Sequence, residues 1–263
     1  MIIDGHQHVL SDPAAQRALA EEAGLDKAIL FSTLVHPERA GTRGEFVGEL
    51  ETLNKILLGR IDPAEARERA VNELVERIAG DRDAYIGFGA CPLGMSTEKT
   101  GEWIERRIVG NHLKGIGELA PGPGNARSIE SIFICLHERS LSLPVWIHTF
   151  NPLGKSDIQD IILLAQRYSR VRVVLGHAGG SHWLEILEKI KSQKNIYMDL
   201  SASFTIWQTR YIPEAIPERC VFSSDAPYGN PYLARQQIEF TIKDKSIRDN
   251  VLGLNTERLL EAG

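Results

Sequence analysis

Residues 2–8 read Ile2-Ile3-Asp4-Gly5-His6-Gln7-His8, and this stretch decides between the two large alternating α/β architectures. Its apolar opening marks a first strand over Ile2–Gly5. A nucleotide-binding open sheet would follow that strand with a Gly-x-Gly-x-x-Gly turn, whose bare backbone lets a pyrophosphate approach a helix N-terminus. Two histidines stand there instead. Residues two apart on extended backbone face one side, so His6 and His8 can both point inward as a pincer.

Working outward, seven more β-branched or apolar runs read as strands: Lys27–Ser32, Ala84–Ala90, Leu113–Glu118, Val145–His148, Val171–Gly176, Ile196–Asp199 and Arg219–Ser223. Between them lie stretches with helical periodicity: Pro13–Ala23, Pro63–Ala79, Thr97–Val109, Ser128–Arg139, Ser156–Tyr168, His182–Lys191, Thr205–Tyr211 and Pro231–Ile242. Strict alternation argues for a parallel sheet, and eight repeats in 263 residues suit a closed (β/α)8 barrel forming one domain over residues 1–263. One repeat is longer. From Thr33 to Asp62 an extended loop or helix insertion follows strand two, with a helical reading over Glu45–Leu58. At the C-terminal rim such a segment is either a lid or a covering helix.

Hydrophobic residues at 43% and charged residues at 25% are ordinary globular proportions. A formal charge of -5 gives no basic excess for tracking a phosphate backbone, which counts against nucleic acid as partner and favours a small-molecule substrate. There is no apolar run of the ~20 residues a membrane span needs. With no leader-type start, a cytoplasmic location is expected. Cys91, Cys135 and Cys220 are odd in number and far apart, so they read as buried small hydrophobes.

The metal-capable residues share one end of the sheet. His6 and His8 follow strand one, Glu118 ends strand four, His148 ends strand five, His177 follows strand six and Asp225 follows strand eight. Imidazole and carboxylate are the usual nitrogen and oxygen ligands of zinc and similar divalent ions. The active face of such barrels is the C-terminal rim where these residues fall. Each alone reads as well as a structural histidine or a helix cap; the set points to one or two divalent ions, zinc first and manganese second.

Taken together, Ile3-Asp4-Gly5-His6-Gln7-His8, Val145-Trp146-Ile147-His148, Val174-Leu175-Gly176-His177-Ala178-Gly179-Gly180, Phe222-Ser223-Ser224-Asp225-Ala226-Pro227 and Val251-Leu252-Gly253-Leu254-Asn255 resemble the amidohydrolase superfamily, in its amidohydrolase 2 branch. The resemblance implies His6, His8 and Asp225 as ligands of a first metal, with His148 as a further ligand. His177 would be a second-metal ligand or a catalytic acid/base. Many relatives carry a bridging carboxylated lysine on strand four, whereas TatD-type nucleases carry a glutamate. Glu118 in Gly117-Glu118-Leu119 matches the latter and leaves mononuclear and binuclear sites both open. Lys114 shares the parity of Glu118 and is expected to point into the barrel. Asp199, at the end of strand seven, is read as a helix cap or a substrate contact, with the cap preferred.

The expected activity is hydrolysis of a small amide, ester, lactone or phosphoester. Metal binding lowers the pKa of water from about 15.7 toward ~7, with Asp225 managing the proton and His177 stabilising negative charge. Decarboxylation is the alternative, because decarboxylases of the branch share the Gly-His-x-Gly-Gly stretch of Gly176–Gly180. A TatD-type phosphodiesterase rests on Glu118 alone, and a non-catalytic binding barrel on the fold alone. Specificity is expected from Arg39, Arg43, Phe150, Phe204, Trp207, Tyr228 and Arg235. Substrate identity and a homo-oligomeric state stay open.

Overall fold

In a computed structural model that describes residues 1–61 and 64–261, the chain forms one parallel sheet whose eight strands are paired in sequence order. They are β1 (Ile3–His8), β2 (Lys27–Phe31), β3 (Tyr85–Gly89), β4 (Gly115–Leu119), β5 (Val145–His148), β6 (Val173–Gly176), β7 (Ile196–Asp199) and β8 (Cys220–Val221). Backbone bonds from Gly5 to Phe222 and from His8 to Ala226, together with a parallel bridge between Gln7 and Ala226, bring the last strand back to the first. The Ser224 amide also donates to the buried Asp4 carboxylate at 2.9 Å. This is a (β/α)8 barrel, as the alternation requires.

Strand-forming Val and Ile give these runs a doubly buried character. Ile29, Phe31, Phe88, Trp146, Val174 and Val221 fill the barrel's inside. Outward residues such as Leu30, Ile116, Ile147 and Leu175 pack under the helices in a larger core. The three interior rings stack at centroid separations of 5.3, 5.4 and 5.9 Å. Burying each such ring stabilises by roughly 1.5–3 kcal/mol and leaves no pore, so chemistry is confined to the rims.

The helices are α1 (Pro13–Ala23), α2 (Arg43–Leu57), α3 (Ala64–Gly80), α4 (Thr97–Trp103), α5 (Glu130–Glu138), α6 (Lys155–Arg167), α7 (Trp183–Ile190), α8 (Ile206–Ala215), α9 (Pro231–Thr241), α10 (Lys245–Asp249) and α11 (Asn255–Glu261). Helix α1 shows why the boundaries were readable: Asp12 caps it, Pro13 opens it, and Gly24 closes it in the left-handed region at φ 60°. The Thr97–Val109 stretch is α4 followed by a π turn over Ile104–Val109. Residues 62 and 63, the ends of the expected insertion and start of the expected helix, lie outside the described residues. The insertion itself is α2, opened by a reciprocal capping box between Thr42 and Glu45. Among the described residues no helix is long and apolar enough to cross a membrane. All three cysteines are free and buried.

One sequence expectation fails here. Lys114 does not enter the barrel; it is exposed beside the N-terminal ends of β3 and β4. The reason is a register shift between Ile116 and Leu119. It breaks the alternation, so Ile116 packs outward while Glu118 still turns in, and counting parity across Gly117 gives the wrong face for Lys114.

Candidate metal centre

All six residues singled out for metal binding converge at the C-terminal rim. His6 and His8 come from β1, Glu118 from β4 and His148 from the last position of β5. His177 stands just after β6 with φ 60°, opening a left-handed run through Ala178, Gly179 and Gly180. Asp225, beyond β8, also lies in the left-handed region, at φ 61°, and its amide donates to the His6 carbonyl. Non-glycine residues rarely adopt that backbone, so the surrounding structure holds both side chains in place. Gly180 is required as glycine: a Cβ there would sit 2.2 Å from Phe150 Cδ2, and this close approach packs the Phe150 ring against His177.

Glu118 is the hub. Its Oε1 lies 3.2 Å from both His148 Nδ1 and His177 Nε2. Its Oε2 lies 3.6 Å from His6 Nε2 and 3.9 Å from His8 Nε2. Asp225 Oδ1 closes the other side, 3.3 Å from His8 Nε2 and 3.6 Å from His6 Nε2. Three groups of metal-capable atoms overlap here: His6, His8 and Glu118; Glu118, His148 and His177; and His6, His177 and Asp199.

Hydrogen bonds outside this hub fix which ring nitrogens face it. His6 Nδ1 is 2.7 Å from Asp199 Oδ2, which also accepts from Trp146 Nε1 at 3.0 Å. Asp199 is wholly buried and accepts from His6 Nδ1, which leaves His6 Nε2 facing Glu118 and Asp225. That buried Nε2 has no hydrogen-bond partner. His148 Nε2 donates to the Asn151 carbonyl at 3.1 Å, turning the Nδ1 lone pair toward Glu118. His177 Nδ1 is held by the Ser201 hydroxyl at 2.8 Å. The inner nitrogens of His6, His148 and His177 therefore face carboxylate oxygens, an arrangement that either a ring proton or a metal cation between them satisfies. Two ligand atoms ~2.0–2.2 Å from one ion lie roughly 3–3.6 Å apart, which every separation here matches except the 3.9 Å between His8 and Glu118. The donor set fits a divalent metal.

The charges say the same. Burial opposes ionisation of Glu118, yet the His6, His148 and His177 rings around it hold its carboxyl well below the usual range. Burial likewise opposes charge on His6, but the Glu118 and Asp199 carboxylates carry its pKa well above the ordinary imidazole value. His177 is raised in the same way, against burial, by Glu118, Asp225 and Asp199. Asp225 is lowered despite burial, through its contact with His8 and the nearby His177 and His6. The pocket is rich in negative charge and calls for positive charge at its centre.

Above the hub lies a cavity of about 320 Å³. Its wall is largely hydrocarbon and aromatic, with Leu53 and Leu57 from α2, and Phe150, Ala202 and Tyr228 from loops. Among the described residues no lysine or arginine lines it. Of the expected specificity residues, Phe150 and Tyr228 reach the cavity. Phe204 and Trp207 are exposed, as are Arg39 and Arg43, while Arg235 ties α9 to the carbonyls of Ala23 and Gly24. Sequence reasoning underrated Asp199, whose place at a strand end was the signal that found the other residues, and it passed over Ser201 and Asn151.

The amidohydrolase family model matches residues 3–262. The chain belongs to the amidohydrolase family. No curated protein matches the sequence significantly. Among solved structures, this amidohydrolase is similar to 5-carboxyvanillate decarboxylase from Sphingomonas paucimobilis, at 16% identity and TM-score 0.70 over 98% of each chain. It is similar to 2,6-dihydroxybenzoate decarboxylase from Rhizobium, at 15% identity and TM-score 0.69 over 99% of this chain and 98% of that one. A third is a dihydroxybenzoic acid decarboxylase from Polaromonas sp. JS666 with bound manganese and 2-nitroresorcinol, at 16% identity and TM-score 0.70 over 99% and 96%. The expected fold and family thus stand, and membership makes the chain an enzyme of the amidohydrolase family. At 15–16% identity these likenesses show the shared fold.

Proposed function

We propose that this amidohydrolase is a metal-dependent decarboxylase of a small carboxylic acid with an aromatic or unsaturated body. The observation that carries the reading is the cavity: a ring-sized apolar chamber over Asp225 and His177, with no lysine or arginine among its described lining residues to neutralise a carboxylate. Full-length likeness to three decarboxylases, one holding manganese, supports it.

His6, His8, His148 and Asp225 would hold the ion, with Glu118 beside them. A bound divalent ion supplies the positive charge that the pocket lacks for an anionic substrate group. The chain's own residues then do the rest. Leu53, Leu57 and Phe150 exclude water, which favours loss of carbon dioxide from a carboxylate moved out of solvent. The carbon–carboxyl bond breaks and its electron pair stays on the substrate carbon. His177, whose pKa Glu118, Asp225 and Asp199 raise against burial, is the donor that delivers a proton to the carbon, and Ser201 keeps the ring in line. Asp225, held ionised, is the acceptor for a substrate hydroxyl proton.

A second reading has its own observation. The two oxygens of Glu118 face different histidine pairs, His148 with His177 and His6 with His8, as a carboxylate shared between two ions would. His177 would then be a ligand rather than an acid, and hydrolysis would follow. Metal equivalents per chain and carbon dioxide release from 2,6-dihydroxybenzoate and 5-carboxyvanillate separate the two. One ion per chain with carbon dioxide formed is expected; two ions per chain and turnover only of amides, esters, lactones or phosphoesters would overturn the decarboxylase reading.

A further inference from the structure

At the opposite end of the barrel, where β2, β3 and β4 begin, lies a second cavity of about 490 Å³, larger than the one over the metal centre. Ile78, Leu113 and Leu260 contribute a hydrocarbon wall, and Lys27, Arg82 and Lys114 bring three cations to it. Among the described residues, Glu261 is the one carboxylate that lines it. None of the three cations makes an ion pair or side-chain hydrogen bond among the described residues. Elsewhere on the surface cations such as Arg139 and Arg167 do pair with acidic neighbours, Glu105 and Glu130. Three unpaired cations around one recess repel one another, and an anion placed between them relieves that repulsion.

We propose that this recess is a second binding site, for a small organic anion whose carboxylate meets Lys27, Arg82 and Lys114 and whose apolar body lies on Ile78, Leu113 and Leu260. Ammonium and guanidinium groups bind carboxylates through charge-assisted hydrogen bonds. The volume lies within the range of small-molecule sites, and burying a ring-sized body adds the apolar contribution that surface cation pairs lack. The site does not depend on the metal centre. Lys114 precedes Glu118 by four residues, about 13 Å along a strand, so an occupant here touches none of the rim residues.

The test uses amide chemical shifts of the zinc-loaded full chain, which resolve the two ends of the barrel. Benzoate should shift the Gly87, Asn111 and Lys114 amides saturably. Inorganic phosphate should act on the same amides more weakly, and benzyl alcohol, which lacks the charge, should not saturate them. Joint Lys27→Glu and Lys114→Glu substitution should weaken benzoate at these amides by about tenfold or more. Arg82→Glu, at an exposed position, should give a smaller loss in the same direction without risk to folding. Three results would overturn the proposal: benzyl alcohol saturating these amides as benzoate does, phosphate binding more tightly than benzoate, or benzoate binding unchanged by the charge reversals.

Discussion

Replacing Asp199 with Asn keeps the shape of a fully buried side chain and removes only its charge and one acceptor, which makes it a sharp probe of the centre. Three donors converge on this carboxylate: His6 Nδ1 at 2.7 Å, Trp146 Nε1 at 3.0 Å and the Ser201 amide at 2.6 Å. Asparagine has one carbonyl oxygen to offer. If that oxygen takes the Ser201 amide, the new NH2 faces His6 Nδ1, which must give up its proton and become an acceptor. The proton then sits on Nε2, the atom that faces Glu118 and Asp225. If the oxygen faces His6 and Trp146 instead, NH2 opposes the Ser201 N–H and leaves a buried donor unmet, at about 1–3 kcal/mol.

Both arrangements weaken the centre, the first through the ring tautomer and the second through displacement of the β7 end. Carboxylates that hold a metal-binding histidine typically account for 10–100-fold in metal affinity, about 1.4–2.8 kcal/mol. Competition against a chelator of known affinity, on wild type and Asp199→Asn, reads this directly. The variant should release its ion at least tenfold more readily, with turnover falling in parallel at limiting metal. Metal affinity within twofold of wild type would refute the tautomer argument and reduce Asp199 to a packing residue.

Other expectations follow from the same geometry. Asp225→Asn should lower turnover by roughly 10²–10⁴-fold with the melting temperature nearly kept, and full activity would remove Asp225 from the proton path. Leu53→Ala and Leu57→Ala should each raise KM roughly three- to tenfold with kcat less affected, since they shorten only the cavity's apolar wall. Gly180→Ala should cost about 1–3 kcal/mol by thermal melting, because its Cβ would collide with Phe150 at a left-handed position. Burial pushes Asp4 up to about 6 from an ordinary 3.8, so ionising it opposes folding: the cost is full above pH 6 and is relieved as pH falls toward 3.8. The stability gap between wild type and Asp4→Asn should therefore change between pH 6 and 4, and a pH-independent gap would contradict it.

Strand positions were legible because doubly buried parallel strands are continuous apolar runs ended by glycine or polar residues, as at Val145–His148. The convergence of the candidate residues was legible for a related reason: the C-terminal strand ends are where a barrel exposes side chains to one shared space, so His6, His8, Glu118, His148, His177 and Asp225 could be gathered without distances. What resisted reading were contacts between distant segments. Asp199 and His6 are 193 residues apart, and nothing local marks Asp199 as the partner of His6 rather than a helix cap. Lys114 was misplaced because a bulge is invisible to a parity count. The inserted helix was visible, but that its Leu53 and Leu57 wall the cavity depended on how α2 lies over the rim.

The chemistry of this amidohydrolase turns on one ring. His177 is held by Ser201 on its outer nitrogen and faces Glu118, and His148 at 3.2 Å, with its inner one. Glu118, Asp225 and Asp199 raise the pKa of this ring against burial, which favours a proton on it as long as no second cation takes that place. On the proposed decarboxylation, a protonated ring under the apolar chamber would be the acid that reaches the substrate carbon. A second ion on His148 and His177 would displace that proton and leave no acid on this side of the pocket. Nuclearity and reaction type are therefore one question, and the occupancy of His177 decides both.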